Sequence, residues 1–480
     1  MERRAPWVWR WLAEIVVLVL LVFGVAAARF DLGERWFGWG PDPATEPAAV
    51  APPEGLRLPQ EAAAGPVSTP PAVRPADPAR VAAAVRPLLA RRGVLGRHVG
   101  VLVAELSSGR ALFRSGATSI TPASTTKLLT STAALESLGP MARFRTTVRW
   151  DAAHRRLVLI GGGDPFLASS SRQASTAYPR KADVVTLARA AARRLRSLHV
   201  RRVSLAYDDS YFTGPAVNPA WPGTYIPESV VPPISALWVD EGHAPGSEGF
   251  VADPAAEAGR VFGAALRRAG VRVAPKVVRG GAGPDAVEVA SVSSAPLGQL
   301  VERTLEVSDN QAAEVLARHV GLAEKQEGSF AAGTASVLGV LRQLGVDVSG
   351  DRLYDGSGLS RLDRLDTGTL AAVVRLATSR EHPELRSVMT GLPVAGFTGS
   401  LAYRFDKGPV EARGRVRAKT GTLTGVHGLA GLADDATGAR MVFVLVADRV
   451  RLLKNLEAQT LIDRIAGALG ACRCGVGSTP

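Results

Sequence analysis

The stretch Thr121-Pro-Ala-Ser-Thr-Thr-Lys-Leu-Leu-Thr130 constrains the fold most, because it opens an apolar helix with a serine and a lysine at its start. Pro122 suits a first turn, where its missing N–H leaves nothing unpaired. Leu128, Leu129, Ala133, Ala134, Leu135 and Leu138 continue at helical spacing until Gly139-Pro140 stops the run. Ser124 and Lys127 are three residues apart, so they share one helix face. Ser124 then lies near a helix N-terminus, where free N–H groups and the positive dipole end stabilise a developing oxyanion. Lys127, one turn deeper and shielded by leucines, is placed to lose its proton and take one from Ser124. Serines at helix starts also serve as plain caps, so the pair does not decide by itself. Among the seven lysines, only Lys127 has a serine at this offset.

A chain of 480 residues can bury a large core and should hold at least two domains. With 21% charged and 6% aromatic residues it reads as globular. Lys and Arg number 57 against 44 acids, a formal charge of +13. The arginines are dispersed, with no basic tract or aromatic-interleaved stripe, which points to acidic or polyanionic surroundings and not to nucleic acid. Arginine far outnumbers lysine, so a lysine at a motif position marks a task arginine does not perform, such as acting as a base. Cys472 and Cys474 are too close to staple a core and have no Cys or His cluster around them for zinc, so they read as a frayed tail. His98, His154, His199, His243, His319, His382 and His427 show no metal-ligand spacing, and neither a metal nor a cofactor is expected.

At the N-terminus, Arg3, Arg4 and Arg10 precede an apolar run, residues 11–28, broken only by Glu14. Its length is at the lower limit for a bilayer span, and Ala26-Ala-Ala28 resembles a signal-peptidase site. Trp36, Phe37 and Trp39 follow as interfacial aromatics would, so the expectation is an uncleaved anchor over a cleaved signal. In both cases the basic flank puts the rest of the chain outside the cytoplasm. Residues 41–77, rich in Pro, Ala and Glu, form an extended linker.

Folding should begin near Asp77-Pro78, with a helix through Leu88-Leu89 ending near Gly93. A strand over 98–106 and a return over 111–114 then lead into the Ser124 helix, an α/β core. Residues 145–290 change texture to short strands (147–150, 156–160, 200–207), one helix (184–198) and many Gly/Pro turns, which reads as an inserted domain. Gly161-Gly-Gly-Asp-Pro165 lacks the Lys and Ser/Thr of a phosphate loop and reads as a tight turn. Asp208-Asp-Ser-Tyr-Phe212 and Trp221-Pro-Gly-Thr-Tyr225 mix acids with aromatics, as ligand clefts and ordinary loops both do.

Downstream, Ser308-Asp-Asn310 opens a strong helix. Ser308 or Asn310 would serve as its cap, while the Asn310 amide carries the acceptor and donors that recognising a peptide amide needs. Residues 415–424 alternate as a strand, turn at Gly425 into 426–432, and turn again at 434–438 into 440–447. This is an antiparallel meander closed by a helix over 452–469. Lys419 and Gly421 face away from Thr420, and the glycine lets another chain lie close against the strand.

Ser-x-x-Lys (124–127), Ser-x-Asn (308–310) and Lys-Thr-Gly (419–421), in this order and with the last on a meander strand, form the signature of penicillin-recognising serine enzymes. With Gly-Gly-Gly-Asp-Pro, Ser-Asp-Asn-Gln-Ala-Ala-Glu, Asp355-Gly-Ser-Gly-Leu-Ser-Arg361 and Ala418-Lys-Thr-Gly-Thr-Leu-Thr-Gly, residues 78–470 resemble the D-Ala-D-Ala carboxypeptidase/endopeptidase family, the low-molecular-mass class C penicillin-binding proteins. The resemblance implies an α/β fold of α+β type, with a transpeptidase core like that of penicillin-binding proteins and serine β-lactamases. In it an antiparallel sheet is flanked by helices and carries an inserted mixed domain, the catalytic part being 78–144 and 291–470.

It also implies an acyl-enzyme on peptidoglycan stem peptides, with β-lactam antibiotics as covalent inhibitors. Ser124 would attack and Lys127 would act as base, while Ser308 and Lys419 relay the proton. Asn310 would hold the substrate amide, Thr420, Gly421 and Thr422 its carboxylate end, and the Ser124 and Thr422 N–H groups the oxyanion. Asp208 and Arg361 would meet the peptide's diamino acid. The insertion is shorter than in the longer members, which puts carboxypeptidase ahead of endopeptidase activity. A β-lactamase or esterase on the same core and a non-catalytic wall-binding module are the rival readings. The absence of a separate deacylating glutamate predicts slow hydrolysis of penicillin.

Overall fold

The structure, a computed structural model, describes residues 74–476. The apolar run 11–28 and most of the linker 41–77 lie outside the described residues, and no described helix is long and apolar enough to cross a membrane.

The strand Arg440–Ala447 (β12) explains the first sheet, since Met441 through Ala447 are all buried. The two-residue period sends Val442, Val444 and Val446 to one core and Met441, Phe443, Leu445 and Ala447 to another. A strand that is apolar on both faces must be covered on both. The sheet order is β10-β11-β12-β1-β2, antiparallel throughout, from Val416–Leu423 (β10), Val426–Asp434 (β11), Val99–Glu105 (β1) and Ala111–Gly116 (β2). The N-terminal hairpin thus extends the C-terminal meander, and Ser119–Ile120 (β3) pairs antiparallel with Leu365–Asp366 (β9). Pro78–Leu89 (α1) and Asn455–Ala471 (α9) cover one face. The other is covered by helices that include Lys127–Leu138 (α2), Leu297–Glu306 (α5), Asn310–Lys325 (α6), Phe330–Gln343 (α7) and Thr367–Thr378 (α8).

Helix α1 begins as expected, with Asp77 accepting the Ala79 N–H at 2.7 Å, but Gly93 does not end it. A separate short helix, Arg92–Leu95, contains that glycine. Helix α2 is central, with every residue from Lys127 to Leu135 buried, and Gly139 at φ 78° ends it. Truncating wholly buried Leu129 to Ala would cost about 2–5 kcal/mol. Ser124 lies not in α2 itself but in a tighter 3-10 turn, Ala123–Thr126, that leads into it.

The second sheet has the order β7-β6-β5-β4-β8, built from Arg272–Arg279, Arg202–Asp208, Arg156–Ile160, Arg145–Asp151 and Val287–Ser293. The pairs β5-β6 and β6-β7 are parallel, so each needs a crossover, supplied by Val184–Ser197 (α3) and Pro254–Arg268 (α4). The sequence reading allowed one helix here and missed α4, in which Gly259 and Gly263 look like breakers. Both glycines make room for the sheet instead. A Cβ at Gly259 would sit 3.2 Å from Tyr207 Cδ1 and one at Gly263 3.1 Å from Leu205 Cδ2. This sheet and its helices have their own apolar core, yet the described residues form one compact unit.

Residues 472–476 are not frayed. Cys472 and Cys474 form a disulfide, Cys474 is wholly buried, and Asp435 accepts the N–H groups of Cys474 and Gly475 at 2.6 and 2.9 Å. The Asp77 N–H donates to the Cys474 carbonyl at 2.8 Å, which holds this segment against the start of α1. Cysteine spacing says nothing of a buried carboxylate 39 residues upstream.

Candidate active site

Four chain segments bring the candidate residues together. The 3-10 turn presents Ser124, half-buried, and α2 buries Lys127 completely. Lys127 Nζ donates to Ser124 Oγ at 2.8 Å, to Asn310 Oδ1 at 2.7 Å and to the Ser357 carbonyl at 2.8 Å. From β10, the wholly buried Lys419 donates to Ser308 Oγ at 2.7 Å and to the Thr420 carbonyl at 2.9 Å. The two lysines therefore approach the nucleophile turn and the Ser308 segment from different elements. Ala123, just before Ser124, and Ser308 have φ of 47° and 62°, a backbone region that side chains with a Cβ disfavour. Such strain concentrates where function needs a fixed geometry.

Glycines set how closely the pieces approach. A Cβ on Gly421 would lie 2.7 Å from the Pro122 carbonyl, so the chain that packs against this glycine is the nucleophile turn itself. At Gly358, with φ 82°, a Cβ would fall 1.9 Å from the Ala123 carbonyl. The helix cap is Asp309, accepting the Ala312 N–H at 2.9 Å, which leaves the Ser308 and Asn310 side chains to the lysines.

Burial is the first cause of the shift at both lysines. Burial lowers Lys127 to about 8, while Asp355, Glu314 and Asp309 pull it back up. Lys419 lies well below the usual lysine range, first through burial and then through repulsion from Lys127 and Arg404. Desolvation dominates, and the mutual repulsion acts on Lys419.

Thr420 Oγ1 lies 3.0 Å from Ser400 Oγ, and Thr422 is exposed on the same edge strand. Arg361, exposed, donates to the Thr424 carbonyl at 2.9 Å near the end of β10, beside half-buried Tyr225. Asp208 ends β6, and its carboxylate accepts the Ser210 N–H at 2.9 Å. No hydrogen bond or ion pair among the described residues joins it to Arg361 or to Ser124.

The sequence reading gave no role to the groups beneath the lysines. Glu314, wholly buried on α6, accepts the N–H groups of Gly356 and Ser357 at 3.1 and 2.8 Å. Asp355, also buried, accepts the Gly358 and Ser360 N–H groups and the Trp221 indole N–H, all within 2.7 Å. Trp221 thereby anchors the long loop after β6 under the site, packed on Phe330. One signal was available, an acid inside the Gln311-Ala-Ala-Glu-Val-Leu-Ala run. The Gly-Gly-Gly-Asp-Pro segment is a packing turn, in which the Gly163 carbonyl accepts from buried His319 at 2.9 Å. Asp164 is buried there, its pKa pushed up to about 7 by burial.

The profile of the D-Ala-D-Ala carboxypeptidase 3 (S13) family matches residues 81–248 and 244–470. Carboxypeptidase DacB of Mycolicibacterium smegmatis is 34% identical over 96% of this chain and 96% of its own. A D-alanyl-D-alanine carboxypeptidase of Actinomadura is 29% identical, over 72% of this chain and 76% of its own. Penicillin-binding protein 4 of Haemophilus influenzae shares the fold, with a TM-score of 0.65 at 20% identity over 80% of this chain and 98% of that one. With its three motifs folded into one site, this chain belongs to the D-Ala-D-Ala carboxypeptidase 3 (S13) family.

Proposed function

We propose that the protein is a serine D-Ala-D-Ala carboxypeptidase that trims peptidoglycan stem peptides through an acyl-enzyme at Ser124. The observation that carries this reading is the pair of buried lysine contacts, Lys127 to Ser124 at 2.8 Å and Lys419 to Ser308 at 2.7 Å. A neutral Lys127 takes the Ser124 proton as Oγ attacks the penultimate D-Ala carbonyl, and the Ser124 and Thr422 N–H groups bind the oxyanion. Ser308 and Lys419 pass a proton to the leaving D-Ala amine. Asn310 holds the substrate amide, and Thr420 and Thr422, beside Gly421 on the open edge of β10, take the terminal carboxylate. Water then frees the acyl group, and β-lactams stop at that stage. Arg361 meets the stem peptide's diamino acid, and Asp208 is kept as its acidic counterpart on sequence resemblance alone.

Residues 78–144 with 291–470 form the catalytic domain and 145–290 the inserted one, a division supported by the second sheet's strands lying between Arg145 and Ser293. The protein acts outside the cytoplasm, anchored by residues 11–28. Purified protein should release D-alanine from a D-Ala-D-Ala pentapeptide while turning over nitrocefin slowly. Rapid nitrocefin hydrolysis would favour a β-lactamase, and no D-alanine release would favour a wall-binding module.

A further inference from the structure

Glu314 is a wholly buried acid to which the reaction above gives no part. It lies on α6 one turn beyond Asn310, and its two oxygens accept the N–H groups of Gly356 and Ser357. The carbonyl of that same Ser357 accepts from Lys127 Nζ at 2.8 Å. As an ammonium, Lys127 has three hydrogens for three acceptors, Ser124 Oγ, Asn310 Oδ1 and Ser357 O. As a neutral amine it has two hydrogens and a lone pair. Asn310 Oδ1 and Ser357 O only accept, so they keep the two hydrogens, and the lone pair is left for Ser124, the one partner able to donate.

We propose that Glu314 is a positioning residue for Lys127. By gripping the Gly356–Ser357 backbone from the helix that carries Asn310, it fixes the carbonyl that turns the lysine lone pair toward Ser124. This rests on the assignment of Lys127 as the base. The charged groups around the pair are Asp355, Asp309 and Arg318, with Lys419 facing Lys127 and Asp363 next to Asp355. Burial and Asp355 push Glu314 up to about 8, and the two N–H bonds act against that rise.

The test is the acylation rate constant of the whole protein with a fluorescent penicillin, measured from pH 6 to 10 for wild type, Glu314→Gln and Glu314→Asp. The glutamine has nearly the same volume but turns an NH₂ group onto one of the two N–H donors, so the backbone must rotate and carry the Ser357 carbonyl away from Lys127. The maximal rate should fall about 10- to 100-fold, the scale set by misplacing a catalytic group by an ångström. The midpoint of the acid limb should also move to lower pH, because the variant removes the Glu314 charge that favours the ammonium as well as displacing an acceptor, so the maximal rate is the readout that separates positioning from charge. Aspartate keeps two acceptor oxygens on a shorter arm and should fall between the other two proteins.

Rates are taken on the fraction of protein that labels, so a loss of folded protein appears as amplitude and not as rate. If glutamine leaves that fraction with the wild-type maximal rate, whatever its midpoint, Glu314 does not position Lys127 and the proposal is wrong. Should the glutamine variant not fold, the same comparison with aspartate decides, and a wild-type maximal rate in that variant would overturn the proposal. Wild type that does not label would remove the lysine-base assignment itself, an outcome separate from both.

Discussion

At the residue scale, the depressed pKa of Lys127 makes a pH prediction. Only the neutral amine can accept the Ser124 proton, and burial brings its pKa to about 8. Acylation should therefore rise roughly tenfold per unit as pH increases toward that value and level off above it. Lys127→Ala should lose about 10²- to 10⁴-fold in rate, the usual worth of a positioned base, and a pH-flat acylation rate in wild type would contradict the assignment. The sequence showed Ser124, Lys127, Ser308, Asn310 and Lys419 because their types and order are unusual in a chain so rich in arginine. Glu314 escaped because a glutamate in an alanine-rich helix normally faces water, and only the packing of α2 and residues 355–360 against α6 buries it. Arg361 lies by the end of β10, whereas the Asp208 carboxylate is occupied with its own turn.

At the element scale, the site depends on how closely β10 approaches the nucleophile turn. Gly421→Ala would place a methyl 2.7 Å from the Pro122 carbonyl, and neither backbone can yield without moving Ser124. A displacement of an ångström typically costs about 10²-fold, so acylation should drop by that order while thermal stability falls by only about 1–3 kcal/mol. A fully active alanine variant would show that the turn tolerates the shift. The elements themselves were largely legible. The meander, the N-terminal hairpin and α6 follow from alternation, turn residues and helical spacing, and each lies within a few residues of its expected place. Less legible were α4, whose glycines serve packing, and the 3-10 geometry at Ser124, which depends on contacts with β10 and Gly358.

At the scale of the whole molecule, His319 joins the second sheet's Gly-Gly-Gly turn to α6. It is buried, stacked on Phe144 with ring centroids 3.7 Å apart, and bonded to the Gly163 carbonyl. Burial lowers its pKa from 6.5 to about 4. Because the unfolded chain takes up the proton first, the stability this neutral ring supplies is complete above about pH 6.5 and is lost as pH falls toward 4, by about 3 kcal/mol. His319→Gln keeps a donor for Gly163 without titrating. In denaturant unfolding the variant should gain on wild type by about that amount between pH 7 and 4, and parallel pH dependences would refute the role. This joint, the segment 472–476 held against α1 and the Trp221 anchor all pair residues far apart in the chain, so spacing alone could not show them. The order of the motifs could, because the fold needs them on three separate elements, the turn into α2, the start of α6 and β10.

Covalent labelling of the protein with a fluorescent penicillin, wild type beside Ser124→Ala, tests the Ser124 acyl-enzyme most directly. An acyl-enzyme at Ser124 gives one adduct per wild-type molecule, located by mass spectrometry on the peptide containing Ser124, and none on the variant. A folded wild-type protein that takes no label, or a Ser124→Ala variant that labels equally well, would contradict it.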